Sequence, residues 1–324
     1  MTVRRSPQPT YRPIIKTAIS RLFHERDLWL FGFFAFFVTS ASSLEPVIRA
    51  SQALQNPRTN FLDSLFPFLE AVRQWTAQIP VGAPGTVMVQ LTILALFVLA
   101  LLFAGVISQG ALLHGTKKHG KRVTPLHMIQ KVRTHFWGLF ALDVLLKLLI
   151  AVAFVMFLAP TPVTTPLFSP FLTGVKNALG LVWLFGSTLT ILYAMTALVN
   201  HNQTLGAALR EGWRVFRTHI IASIELSLLL FAIALGIGVA AIGALLILFV
   251  PYTILFLWGA QMGSLFATTL ATTAMFFVVF ALSLTFAGLT TALNYTVIGV
   301  AYETLRKNKL ATKVQRVKDT LRWF

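Results

Sequence analysis

Apolar residues fill six long blocks of this chain. Between the blocks lie shorter segments in which apolar residues recur only every third or fourth position. The blocks are residues 28–44, 87–113, 136–159, 175–199, 220–250 and a stretch within 266–302. A helix needs roughly 18–20 apolar residues to cross a hydrocarbon core. The blocks are continuous rather than alternating, so they predict membrane helices and not barrel strands. The segments between them have a different period. Ile14, Ile15, Ala18, Ile19, Leu22 and Phe23 share one side of a 3.6-residue helix, with Lys16, Ser20 and His24 opposite. Residues 124–135 and 204–219 follow the same pattern. So does the tail, where Leu310, Val314, Val317, Leu321 and Phe324 are spaced by fours and threes. These segments predict basic helices lying flat in the membrane surface. Phe61, Leu65, Phe68, Val72, Trp75 and Ile79 predict an amphipathic helix on the outer face, inside the long loop 45–86.

Two of the junctions carry the same words. Val132-Arg133-Thr134-His135 leads into the third block, and Phe216-Arg217-Thr218-His219 leads into the fifth. Upstream stand helix-start signals, Thr124-Pro125 and Thr204. The fold class expected is all-α: a polytopic membrane bundle of six transmembrane helices in three parallel two-span repeats. The repeats are 13–113, 124–199 and 204–302, each opened by a basic amphipathic surface helix, and a basic tail, 303–324, closes a single membrane domain, 1–324. Two-span units keep one topology, so their pseudo-symmetry axis would follow the membrane normal. Pro251 is expected to end the fifth span, with Tyr252, Phe256 and Trp258 in an interfacial belt. Residues 28–44, with Ala41-Ser42-Ser43 as the cleavage site, resemble a signal peptide. The long amphipathic leader argues for a retained span instead.

Composition agrees with a membrane protein. Of 324 residues 56% are hydrophobic and 11% charged, against about 25% charged in soluble domains. With no cysteine, disulfides and thiol chemistry are excluded. Charge sets the orientation. Of the 27 basic residues 22 gather in the N-terminal arm, the 114–135 and 200–219 connections and the tail. The opposite loops hold only Arg49, Arg58, Arg73 and Lys176. By the positive-inside rule both termini are cytoplasmic, which an even number of spans satisfies. The expected location is the plasma (inner) membrane of a prokaryote. A net charge of +17 is then read as attraction to membrane lipids, above all anionic phospholipids, and not to nucleic acid.

Motifs for catalysis are missing. His24-Glu25-Arg26 lacks the second histidine of a helical zinc site. All seven histidines fall on the expected cytoplasmic surface, and no phosphate loop, nucleophile pair or cofactor motif is found. Gly236, Ala240 and Ala244 read as a helix-packing seam. The informative residues are ionisable groups inside spans: Asp143, Lys147 and Glu225. Each costs about 2.5–3.5 kcal/mol at a helix centre on insertion scales, so each should face protein or water. Asp143 and Lys147 share a helix face, and Glu225 enters its span to a similar depth. Tyr193 and Asn294 complete a candidate intramembrane polar cluster. The bland alternative is a structural Asp143–Lys147 pair with Glu225 snorkelling alone. Arg133, His135, Arg217, His219, Lys313 and Arg316 are candidate headgroup contacts. The reading is a non-enzymatic, membrane-organising or lipid-interacting protein without cofactor or metal. The alternative is a transporter of a small solute or lipid using the intramembrane charges.

The three-by-two plan is that of mitochondrial carriers, but their Pro-acidic-basic motif is absent and their surface helix lies within each repeat. Residues Thr204-Leu205-Gly206-Ala207-Ala208-Leu209-Arg210-Glu211-Gly212-Trp213-Arg214-Val215-Phe216 instead resemble the lead into a membrane span in prokaryotic six-span proteins. These include the membrane domain attached to some glycerophosphodiester phosphodiesterases. Residues 124–136 form a weaker copy. The resemblance implies the six-span architecture and no catalytic residue, since the phosphodiesterase chemistry of that group resides in a separate soluble barrel.

Overall fold

The computed structural model describes residues 11–25, 27–40, 84–114, 124–153, 156–157 and 169–307. Among the described residues there are nine α-helices and no strand. In chain order they are α1 (Tyr11–His24), α2 (Asp27–Ser40), α3 (Pro84–His114), α4 (Pro125–Arg133), α5 (Phe136–Ala153), α6 (Ser169–His201), α7 (Leu205–Thr218), α8 (Ile220–Gln261) and α9 (Leu265–Arg306). Five of them, α3, α5, α6, α8 and α9, are long and apolar enough to cross a membrane. The chain thus has the make-up of a multi-pass membrane protein. The expected first span is described over only 14 residues, as α2, so it falls short of that length. The expected 61–79 helix and the 308–324 tail, with Lys313 and Arg316, lie outside the described residues.

Two of the boundaries that differ from the sequence reading have a plain cause or consequence. α6 starts at Ser169 rather than at 175, because Pro170 falls in its first turn, where a missing N–H breaks no bond. More consequentially, Pro251 does not end α8. The helix continues through it to Gln261, 42 residues in all. A proline inside a membrane helix leaves one carbonyl unpaired, which neighbouring groups and local adjustment can absorb.

The helices form two compact units. One contains α1, α2 as far as Phe36, α8 and α9. Here α8 and α9 make a hairpin whose turn places Gly263 at φ 63°, a conformation glycine adopts freely. Ser264 caps α9 by accepting from Ala267 N at 3.3 Å. α2 crosses α9 backbone to backbone. A Cβ at Gly32 would overlap the Gly288 carbonyl oxygen, and one at Gly288 would stand 3.1 Å from Phe33 Cα. Such glycine crossings let membrane helices approach closely. α1 packs on α9 and buries Ile14, Ala18 and Leu22. Trp29 Nε1 ties the α1–α2 elbow by donating to Leu22 O at 2.7 Å.

The other unit contains α3 to α7. α4 ends at Arg133, Thr134 returns its hydroxyl to Lys131 O at 2.7 Å, and α5 begins at Phe136. α7 ends at Thr218, whose hydroxyl donates to Arg214 O at 2.8 Å, just before α8 begins at Ile220. Each Arg-Thr-His elbow of the sequence thus follows a short helix and precedes a long apolar one.

Burial is lopsided along the long helices. Every residue of 105–114 in α3, 193–200 in α6 and 295–302 in α9 is buried. At the opposite ends large apolar side chains stand exposed, including Met88, Ile93 and Leu96 in α3, Phe171 and Leu172 in α6, and Leu265 and Phe266 in α9. α3, α6 and α9 are thus each packed at one end and free for hydrocarbon at the other.

Candidate functional site

The site is built around α6, at the level of Thr190 to Ala194. Asn202 leaves α6 with φ 51°, a left-handed turn that asparagine tolerates better than most residues. The chain then folds back as α7. Along α7, Gly212 meets α6 where a Cβ would lie 2.5 Å from Thr190 O and 2.8 Å from Ala194 N. Four residues later, Phe216 Cε1 lies 3.5 Å from a Cβ built on Gly186. Four steps forward on α7 match four steps back on α6, so the two helices are antiparallel. This corrects the expectation for residues 204–219: α7 stands along α6 rather than lying flat across its end. The absent side chain at Gly212 is what admits the contact.

α5 flanks α6 as well. Leu198 Cδ2 lies 2.9 Å from a Cβ built on Gly138. Further along, the rings of Phe157 and Trp183 are 6.3 Å apart. α5 is therefore also antiparallel to α6. At about 1.5 Å per residue, the five residues from Gly138 bring Asp143 level with Tyr193.

A charged layer results. Lys147 Nζ donates to Asp143 Oδ2 at 2.6 Å. The Asp143 side chain is 5% exposed and the Lys147 side chain 29%. On α7, Arg214 Nη2 pairs with Glu211 Oε2 at 2.5 Å, with exposures of 69% and 10%. The two pairs share a design: the carboxylate is turned inward at the level of α6, and the cation reaches out. Tyr193, fully buried, lies at this level on α6 itself. The hydroxyl of Thr190 is buried and has no hydrogen-bond partner among the described residues. Most described helical threonines return theirs to a carbonyl one turn back, as Thr196 does to Leu192 O at 2.8 Å.

Of the expected cluster, Asp143, Lys147 and Tyr193 thus belong to one unit. Glu225 and Asn294, both half-buried, belong to the other. Glu211 was missed by the sequence reading, which gave it no role. Yet Ala208, Glu211, Gly212 and Val215, all buried, follow the i, i+3, i+4, i+7 spacing of an inward face, so the signal was present. Gln109 was missed too. It is fully buried on α3, with neither amide atom partnered among the described residues. His114 corrects the placing of every histidine on the surface: it is 4% exposed. At this end of α3, Asn200 Nδ2 donates to Leu113 O at 3.4 Å, satisfying a carbonyl that the helix end leaves open.

The candidate headgroup residues keep an outward position. Arg133 and Arg217 are exposed, and His135 and His219 are half-buried. His135 Nδ1 lies 2.8 Å from Thr134 Oγ1 and 3.3 Å from Lys131 O. Each elbow also shows a large aromatic side chain: Trp137 is 77% exposed and Trp213 53%. Among the described residues, no three of His, Asp or Glu gather as metal ligands. Comparison with known protein families, curated proteins and solved structures finds no match.

Proposed function

We propose that this chain is a non-enzymatic plasma-membrane protein of a prokaryote that engages anionic phospholipid and organises the bilayer around it. In this reading it has six spans, with both termini cytoplasmic. Its three two-span repeats follow the plan of the membrane domains attached to some glycerophosphodiester phosphodiesterases. The observation that carries it is the make-up of the two Arg-Thr-His elbows. At the first, exposed Arg133 and Trp137 flank the start of α5, and at the second exposed Trp213 and Arg217 stand on α7, the short helix that precedes α8. Tryptophan prefers the headgroup level. A lysine or arginine near an anionic surface is worth roughly 1 kcal/mol. Packing of α2 on α9 through Gly32 and Gly288 supports counting α2 as the sixth span. The buried ends of α3, α6 and α9 recur once per proposed repeat, which supports the threefold plan.

A second reading, transport of a small solute or lipid, is favoured by one observation. Four charged side chains form a layer around α6, which is itself apolar enough to cross a membrane. Coupling of Glu225 to the Asp143–Lys147 pair belongs to this reading.

The lipid reading is tested by mass spectrometry of lipids that copurify with the full chain. Anionic phospholipid should be enriched over the bulk membrane, and the Arg133→Gln, Arg217→Gln double variant should lose the enrichment. Copurified lipid that mirrors the bulk composition would overturn it.

A further inference from the structure

α7 has two opposed faces. Ala208, Gly212 and Val215 turn inward, while Arg210, Trp213, Arg214 and Arg217 are all exposed. The four exposed residues recur at i, i+3, i+4 and i+7, so they make one continuous stripe. Among the described residues neither Arg210 nor Arg217 is paired with a carboxylate, and Arg214 spends only Nη2 on Glu211. The stripe therefore carries cationic charge that nothing described on its own helix balances.

A flat surface helix would hold such a stripe at one depth. α7 does not lie flat. Its antiparallel register on α6 carries the stripe from near the buried end of α6 up to the level of Gly186. Arg217 stands one residue beyond Phe216, the neighbour of Gly186. Also beside α6, α5 shows exposed Val144, Leu148 and Val152 over the same levels. Between them the amine of Lys147 is turned back to Asp143. One flank thus suits hydrocarbon at a depth where the other presents guanidinium groups. Arginine inside a membrane faces protein or water, not lipid tails.

We infer that the Arg210–Trp213–Arg214–Arg217 face of α7 lines a water-filled recess beside α6, reaching the level of Lys147, and that this recess takes the phosphate of an anionic phospholipid. The guanidinium fork suits a phosphate oxygen pair, and Trp213 between the arginines suits the glycerol level of a lipid. The inference deepens the lipid reading above and rests on the membrane placement proposed there.

The chain has no cysteine, so single-cysteine variants label without background. Thr218→Cys and Leu148→Cys report the two flanks at similar depth. Both positions are exposed, so neither change threatens folding, and Trp213→Cys serves as a second reporter on the α7 flank. The full chain is reconstituted in phosphatidylcholine vesicles, and an anionic methanethiosulfonate is added to both sides. Thr218→Cys should react and Leu148→Cys should not. Dioctanoyl phosphatidylglycerol should slow the reaction at Thr218→Cys by about tenfold, dioctanoyl phosphatidylcholine should not, and Arg214→Gln with Arg217→Gln should abolish the protection. Protection by inorganic phosphate as strong as by the lipid would overturn the lipid assignment in favour of a soluble anion. Silence at both cysteines would overturn the recess while leaving the membrane placement intact. Equal reaction at both would overturn the membrane placement of this level, and the recess with it.

Discussion

Lys147→Ala is expected to destabilise the protein by about 3 kcal/mol, the lower part of the range for stranding one partner of a buried pair. The reason is asymmetry. Asp143 is turned inward and its side chain is 5% exposed, whereas Lys147 keeps 29%. Removing the amine leaves the carboxylate without the cation it holds at 2.6 Å. Removing both groups leaves no stranded charge, so Asp143→Ala with Lys147→Ala should cost less than Lys147→Ala alone. Thermal unfolding in one detergent, run as a double-mutant cycle, reads the difference. A double variant less stable than the single one would show that Asp143 is held by other groups. Arg214→Ala is the matched comparison. Its side chain is 69% exposed and screened by water, so its loss should be smaller, within about 1 kcal/mol for the exposed part of the pair.

The second large effect is expected at Gly212. A Cβ there would sit 2.5 Å from a backbone oxygen and 2.8 Å from a backbone nitrogen of α6. Backbone of a packed helix cannot step aside as a side chain tip can. Gly212→Leu should therefore force α7 off α6 and cost about 3 kcal/mol, the upper end of ordinary overpacking. Gly206 lies on the same helix with nothing within 4 Å of its Cβ position. Gly206→Leu should be neutral within about 0.5 kcal/mol, as surface changes usually are. Unfolding midpoints of the two variants separate a packing effect from a general intolerance of leucine in α7. Equal losses would remove the antiparallel α6–α7 contact as the cause.

Much of the architecture was legible because hydrocarbon imposes a simple rule on composition. The apolar runs read as starting at Phe136 and Ile220 begin helices at those residues, since each follows an Arg-Thr-His elbow that breaks the apolar pattern. The Asp143–Lys147 pair was legible from its i, i+4 spacing alone. Pro251 misled because local propensity says stop, while a membrane helix can carry a proline through. The direction of α7 was illegible for a different reason. A 3.6-residue period reports that a helix has two faces, not whether its axis lies in the membrane plane or beside another helix. Only Gly212 hinted at the close approach, and glycine has several other uses. Glu211 was lost with that direction. Gln109 carried no signal at all, since one amide inside an apolar run shows neither a period nor a partner.

Sidedness is the claim on which the spans, the elbows and the lipid reading all depend. Lys118→Cys and Arg58→Cys place one thiol in each of two loops that the basic-residue distribution assigns to opposite faces. In intact cells treated with a membrane-impermeant maleimide, Arg58→Cys should label at once. Lys118→Cys should label only after the membrane is permeabilised. Labelling of Lys118→Cys in intact cells, with Arg58→Cys protected, would contradict the account.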